Sequence, residues 1–200
     1  MKYIVFAITV VIATSSCNNN PPKADNKLSP AADSTVGTAQ SDFFPIPDYI
    51  GGQLKIIDSL KLPVSKTVTI NNVPRLSESS LQELRELAQN FRQPDINDPA
   101  IKKQYTETSI ADQSTPSVTL IFTTKDTSLP IQKIEVYVKP DPVNTDKVTG
   151  IYMEKIFSRN DTGFNQKLYW KTGKNMQVNT EKQVKGKTLP VEQIKLTWDY

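Results

Sequence analysis

Few side chains in this 200-residue chain can do acid–base or metal chemistry. It has no histidine, and Cys17 is its single cysteine. Histidine is the side chain whose ordinary pKa lies nearest neutrality, so its absence removes Ser–His and Cys–His nucleophile pairs and histidine zinc sites. One cysteine forbids an internal disulfide and every paired-cysteine metal motif. The carboxylates Asp58, Glu78, Glu83, Glu86, Glu107, Glu135, Glu154 and Glu192 are scattered over positions expected to be exposed. Glycoside hydrolysis needs two of them about 5–9.5 Å apart, and the spacing singles out no pair. Glu135 and Glu154 are expected to meet across neighbouring strands as solvated charges. Asp141, Asn144, Thr145 and Asp146 form an oxygen-rich loop without the glycine and terminal glutamate of a calcium loop, so a hairpin turn is expected there. Gly51-Gly52 lacks the lysine and hydroxyl of a phosphate-binding loop. The expectation is a protein without catalysis, metal or cofactor.

Aromatic side chains are the more suggestive feature. If Ile134, Val136, Val138, Leu168 and Trp170 point into a core, then Tyr137, Tyr169 and Lys171 point the other way, and Tyr152 joins them if register permits. Tyrosine and lysine on an open sheet face suit stacking on a sugar, contact with a lipid or docking of a protein. The alternative is that another element covers this face, or that tyrosine is there for its strand preference. The 24 basic and 21 acidic residues give a net charge of +3, spread along the chain, which is not the gathered basic face of a nucleic-acid binder.

The elements that position these residues fall into two periods. Ile50, Leu54, Ile57 and Leu60 recur at helical spacing and predict a helix from Pro47 to Leu60, with Gly51-Gly52 inside it. Thr67-Val68-Thr69-Ile70 reads as a short strand. Ser79-Ser80-Leu81-Gln82 offers a capping box for a second helix, in which Leu81, Leu84, Leu87, Ala88 and Phe91 share a face up to Gln93-Pro94. Asp98-Pro99 predicts one more helical turn before Tyr105. Beyond it, Val118-Leu120-Phe122, Ile134-Val136-Val138, Ile151-Met153, Leu168-Trp170 and Ile194-Leu196-Trp198 alternate with polar neighbours. Turn signals separate them, including Asp141-Pro142, Thr172-Gly173, Lys185-Gly186 and Asn160-Asp161-Thr162-Gly163, where Gly163 is expected to take the positive φ. This predicts an α+β domain over residues 43–200: two N-terminal helices packed on a six- to seven-stranded, mainly antiparallel sheet.

The beginning of the chain has another character. Met1-Lys2, an apolar run from Tyr3 to Ala13 and the small residues Thr14-Ser15-Ser16 precede Cys17, the order of a secretory signal peptide. The run is shorter than the roughly 20 residues that span a bilayer. At Ser15-Ser16-Cys17 the segment resembles the lipobox of bacterial lipoproteins, although Thr14 stands where leucine is usual. That resemblance implies cleavage between Ser16 and Cys17, a lipid on the Cys17 sulfur and acylation of the new N-terminus. Each buried CH₂ contributes about 0.8 kcal/mol, and two or more chains anchor stably where one does not. It also implies anchoring in the cell envelope, and Asn18 in place of aspartate favours the periplasmic face of an outer membrane. Leu168-Tyr169-Trp170-Lys171 and the closing Leu196-Thr197-Trp198-Asp199 resemble small lipoproteins that have no assigned activity.

Residues 1–16 are thus expected to be a signal peptide and residues 17–42 a lipid-anchored, disordered tether rich in Asn, Pro, Ala and Ser. A flexible linker of that length has a root-mean-square span of about 25–30 Å. The expected function is a non-catalytic envelope domain that binds an envelope protein, a glycan or a lipid. A half-barrel lipid carrier is the alternative reading, and a carboxylate-based hydrolase the last one.

Overall fold

The computed structural model describes residues 42–143 and 146–198. The expected signal peptide, Cys17, all of the expected tether but Asp42, Asn144, Thr145 and Asp199 therefore lie outside the described residues.

Chain order runs α1 (Ile46–Ser59), β1 (Val64–Ile70), β2 (Val73–Ser79), α2 (Leu81–Arg92), a 3-10 turn (Lys102–Gln104), β3 (Tyr105–Asp112), β4 (Ser117–Thr124), β5 (Ile131–Lys139), β6 (Lys147–Arg159), β7 (Thr162–Lys171), β8 (Asn175–Val184), β9 (Lys187–Thr188) and β10 (Glu192–Thr197). The class is α+β with two α-helices and an antiparallel sheet, but the sheet has ten strands where six or seven were expected. Its order is β2-β1-β10-β8-β7-β6-β5-β4-β3, with β9 beside β8. The helices also do not precede the sheet together, because the β1–β2 hairpin stands between them.

Helix α1 opens on a proline in its first turn with Asp48 beside it, where the fixed φ and the positive helix end favour both. It buries Ile46, Ile50, Leu54 and Ile57, while Leu60 sits on the cap and is exposed. Lys61 turns left-handed at φ 50°, and the amides of Lys61 and Leu62 close on the Asp58 and Ile57 carbonyls at 3.1 and 3.2 Å. In α2 the cap is Ser80, whose hydroxyl accepts from the Glu83 amide at 3.1 Å, one residue later than the Ser79–Gln82 box expected. The Glu83 carboxylate turns instead to Ser79 and Lys66, tying α2 to the hairpin. Leu84, Ala88 and Phe91 are buried on one face of α2. Asp98 starts a turn that ends in the 3-10 segment, so the expected helical turn lies slightly later.

Both helices cover one face of the sheet. Leu84, Phe91, Ile50 and Ile57 meet Phe122, Ile134, Val136, Ile151, Met153, Leu168 and Trp170 in one apolar cluster. Phe91 meets Trp170 edge-on at 5.7 Å, and Trp170 lies 5.1 Å from Trp198. The central register follows from turn chemistry. Asn160 and Asp161, at φ 49° and 57°, make the two-residue turn between β6 and β7 that right-twisted strands prefer. Gly163, expected to supply the positive φ, is instead paired with Ser158 inside β7.

Candidate binding face

Opposite the helices, the central strands present a second surface. Alternation places Tyr137, Glu135 and Lys133 of β5 there, and pairing aligns them with Gly150, Tyr152 and Glu154 of β6. One strand further, Lys171, Tyr169 and Lys167 of β7 stand opposite Gly150, Tyr152 and Glu154. Then come Asn175, Gln177 and Asn179 of β8 opposite Lys171, Tyr169 and Lys167, and Thr197, Lys195 and Gln193 of β10 beyond. The four residues singled out in the sequence, Tyr137, Tyr152, Tyr169 and Lys171, therefore share one face. Their exposure differs: Tyr137 and Tyr169 are 38% and 41% exposed, and Tyr152 only 9%. Tyr152 is a support, its ring 4.9 Å from that of Tyr169.

A depression of about 560 Å³ lies among Tyr137, Gly150, Tyr169, Lys171, Asn175, Gln177 and Asn179. Two local features shape it. Between Tyr137↔Gly150 and Val138↔Val148 the register slips, leaving Thr149 as an extra residue in β6. Such a bulge bends a strand and raises its twist, and bulges are common beside functional sites. The Thr149 hydroxyl donates to the Tyr137 carbonyl at 3.2 Å, and from the covered side the Tyr49 hydroxyl of α1 reaches the Val148 carbonyl at 3.3 Å and the Thr172 hydroxyl at 2.6 Å. The second feature is Gly150 itself. A Cβ there would stand 2.9 Å from the Trp170 carbonyl oxygen and 3.6 Å from the Tyr137 ring, so glycine lets the backbones approach and leaves the floor open.

The charges of Lys133, Glu135 and Glu154 beside the depression are satisfied internally. Lys133 pairs with Glu135 at 2.6 Å, Glu135 also accepts from the Tyr137 hydroxyl, and Tyr152 donates to Glu154 at 2.5 Å. Burial raises the Glu135 pKa, but Lys133 and Tyr137 outweigh it and hold the carboxyl below its ordinary value. The Tyr137 and Tyr152 phenols are pushed well above theirs, first by burial and then by their glutamates. Both tyrosines are neutral donors at physiological pH, and Glu135 is ionised, the opposite of what a general acid requires. Inside the depression only some of the polar side chains are engaged. Gln177 donates to the Asn179 amide oxygen at 3.0 Å. Among the described residues, the side chains of Tyr169, Lys171 and Asn175 take part in no hydrogen bond or ion pair.

Other expected positions resolve differently. Asp141 accepts from the Val143 amide and Asp146 from the Asp141 amide, at 3.0 and 3.1 Å, as turn carboxylates do. No group of three or more metal-ligating side chains occurs among the described residues, and no described helix is long and apolar enough to cross a membrane. Sequence reasoning missed Gly150, Asn175, Gln177 and Asn179. The signal for Gly150 was an isolated glycine next to an alternating strand; for the amides it was Met176 and Val178 two residues apart. Comparison with known proteins finds no matching family model, no matching curated protein and no matching solved structure.

Proposed function

We propose that this chain is a bacterial envelope lipoprotein, anchored through lipid on Cys17, whose domain is a non-catalytic binding module using the face of the sheet opposite the helices. The observation that carries the reading is the depression between Tyr137 and Tyr169, where exposed rings flank Lys171 and Asn175, whose side chains have no internal partner. Side chains whose only role is strand formation need no shared concavity; a ligand site does. The filled space between helices and sheet supports a surface site over an acyl-chain cavity, since Ile50, Ile57, Leu84, Phe91 and Trp170 are all 2% exposed or less. The ionised, paired state of Glu135 supports binding over hydrolysis.

Two experiments test it. A photo-crosslinking residue at position 169, in cells of the native host, is expected to capture a ligand or partner that the same residue at Lys55 of α1 does not. Equal capture at both positions would remove the binding face. Cys17→Ser is expected to release the chain from the membrane fraction, and unchanged fractionation would remove the anchor.

A further inference from the structure

Resting on that reading, we propose that the occupant of the open face is an oligosaccharide, its rings stacked on Tyr169 and Tyr137 and its hydroxyls held by Asn175, Gln177 and Asn179. The chemistry of the free groups selects it. A sugar ring has an apolar C–H face that stacks on an aromatic ring, and a hydroxyl rim that both donates and accepts. Side-chain amides do both as well, which neither lysine nor glutamate can. Gln177 and Asn179 are already joined at 3.0 Å, so they form a pre-ordered pair with an acceptor and a donor left over. The floor at Gly150 is bare backbone, where a ring can settle between the tyrosines.

The length of the surface points the same way. The 560 Å³ depression lies within the roughly 300–1,000 Å³ usual for small-molecule sites. It adjoins two others, of about 460 and 220 Å³, and Asn179 lines all three. The second reaches Gln193 and Thr69, so the run crosses from β7 over β8 and β10 to β1. A linear polymer of similar units fits such a run better than one compact molecule.

Charge argues against an anionic occupant. Lys171 is the single cation lining the main depression; on the same face Lys133 is taken by Glu135, Lys167 stands opposite Glu154 and lines the smallest depression together with Glu181, and Lys195 lies one strand beyond Gln177. A phosphate-rich surface is recognised by several converging cations.

The test is isothermal titration of the full chain in detergent micelles with chitotetraose, cellotetraose, maltotetraose and mannotetraose. Tetragalacturonate and phosphatidylglycerol vesicles serve as anionic controls. At least one neutral tetrasaccharide is expected to bind saturably and more tightly than either control. Tyr169→Ala is expected to weaken it about tenfold, the size of one ring contact, and Gln177→Ala severalfold. Lys55→Ala on α1 is expected to leave affinity unchanged, with circular dichroism melting as the check that the face variants fold. Tighter binding of either anionic control overturns the proposal. If no neutral sugar binds while the crosslinker at 169 captures a protein, the oligosaccharide is wrong and the binding face stands. If no sugar binds and nothing is captured, both fall.

Discussion

Strands β6 and β7 carry two unlike surfaces a single residue apart. On one side Ile151, Met153, Leu168 and Trp170 are at most 2% exposed beneath the helices. On the other, Tyr152, Glu154, Lys167 and Tyr169 face the reverse direction in the same register. The covered side fixes identity through volume, since a close-packed interior feels a change of one methylene. The open side fixes identity through partners: Glu135 is held by Lys133 and Tyr137, Glu154 by Tyr152, and the polar ends of Tyr169, Lys171 and Asn175 at the depression are held by nothing. A side chain kept for stability is thus recognisable by its neighbours, and one kept for binding by their absence.

The largest expected effect separates adjacent residues on those two sides. Trp170→Ala removes a ring that touches Phe91 and Trp198 and is expected to cost about 3–5 kcal/mol. Tyr169→Ala loses only the ring contact with Tyr152 and part of its burial, about 1 kcal/mol. Urea denaturation of the two variants measures the difference. Equal losses would mean that the open side belongs to the stabilising core and is no free surface.

Sequence periodicity reaches the covered side much better than the open one. Ile50, Leu54 and Ile57, or Leu84, Ala88 and Phe91, lie on one side of a helix by the 3.6-residue period alone, so both helices are legible. Strands β4, β5, β6, β7 and β10 are legible by alternation. The outermost strands are not: β2 is exposed almost throughout and contains Pro74, and β3 is exposed beyond Tyr105, so neither has an apolar side to alternate. Strand β8 was lost because Met176 and Val178 are the only buried apolar residues on its covered side, and the amides of the candidate site went with it. Placing Tyr152 against Tyr169 required the turn. With Asn160-Asp161 at the tip, Arg159 pairs Thr162, and seven steps back along each strand bring the two tyrosines together. Assigning the positive φ to Gly163 obscured that count.

One amine complicates the contrast, because Lys155 lies on the covered side, 7% exposed, in register with Ile131 and Gln166. It donates to the Asn90 and Gln93 carbonyls at 3.1 and 2.8 Å, at the end of α2 where the helix dipole favours a cation. Burial holds its pKa below the ordinary 10.5. In the window between the depressed folded value and the unfolded one, the unfolded chain binds the proton more strongly, so stability rises with pH. Lys133 on the open side behaves oppositely: Glu135 raises its pKa, so its contribution is constant through that window and is lost only above it. Tyr105, pushed up to about 12 chiefly by burial, likewise holds its contribution until the unfolded phenol titrates near 10. Denaturation midpoints are therefore expected to rise with pH in the wild type as 10.5 is approached from below, up to where the phenols begin to titrate, and to flatten there in Lys155→Met. A rise that survives the substitution would assign it to another group.

Gly150→Ala tests the join between the two sides. Its new Cβ would meet the Trp170 carbonyl, and backbone in the middle of a sheet cannot yield as a side-chain tip can. A loss of about 1–3 kcal/mol is expected, together with a shallower depression on the open side. Thermal unfolding combined with sugar titration reads both. An unchanged melting temperature would show that the strands have slack at the bulge.

The smallest effect has the opposite sign. Gly52 in α1 would place a Cβ with nothing within 4 Å, and Gly51 one 3.9 Å from the Arg92 guanidinium, an ordinary contact. Neither glycine is needed for close packing, in contrast to Gly150. An exposed helix interior favours alanine over glycine by about 1 kcal/mol, so Gly52→Ala is expected to raise the urea midpoint by that amount and to leave binding untouched. Two glycines in one chain then give opposite answers to the same substitution, for one physical reason: at Gly150 the missing Cβ makes room for a neighbouring strand, and at Gly52 it leaves only extra freedom in the unfolded chain. A stability loss at Gly52 would mean that some other surface packs on this side of α1, and the helices could no longer be taken as the outer layer of the domain.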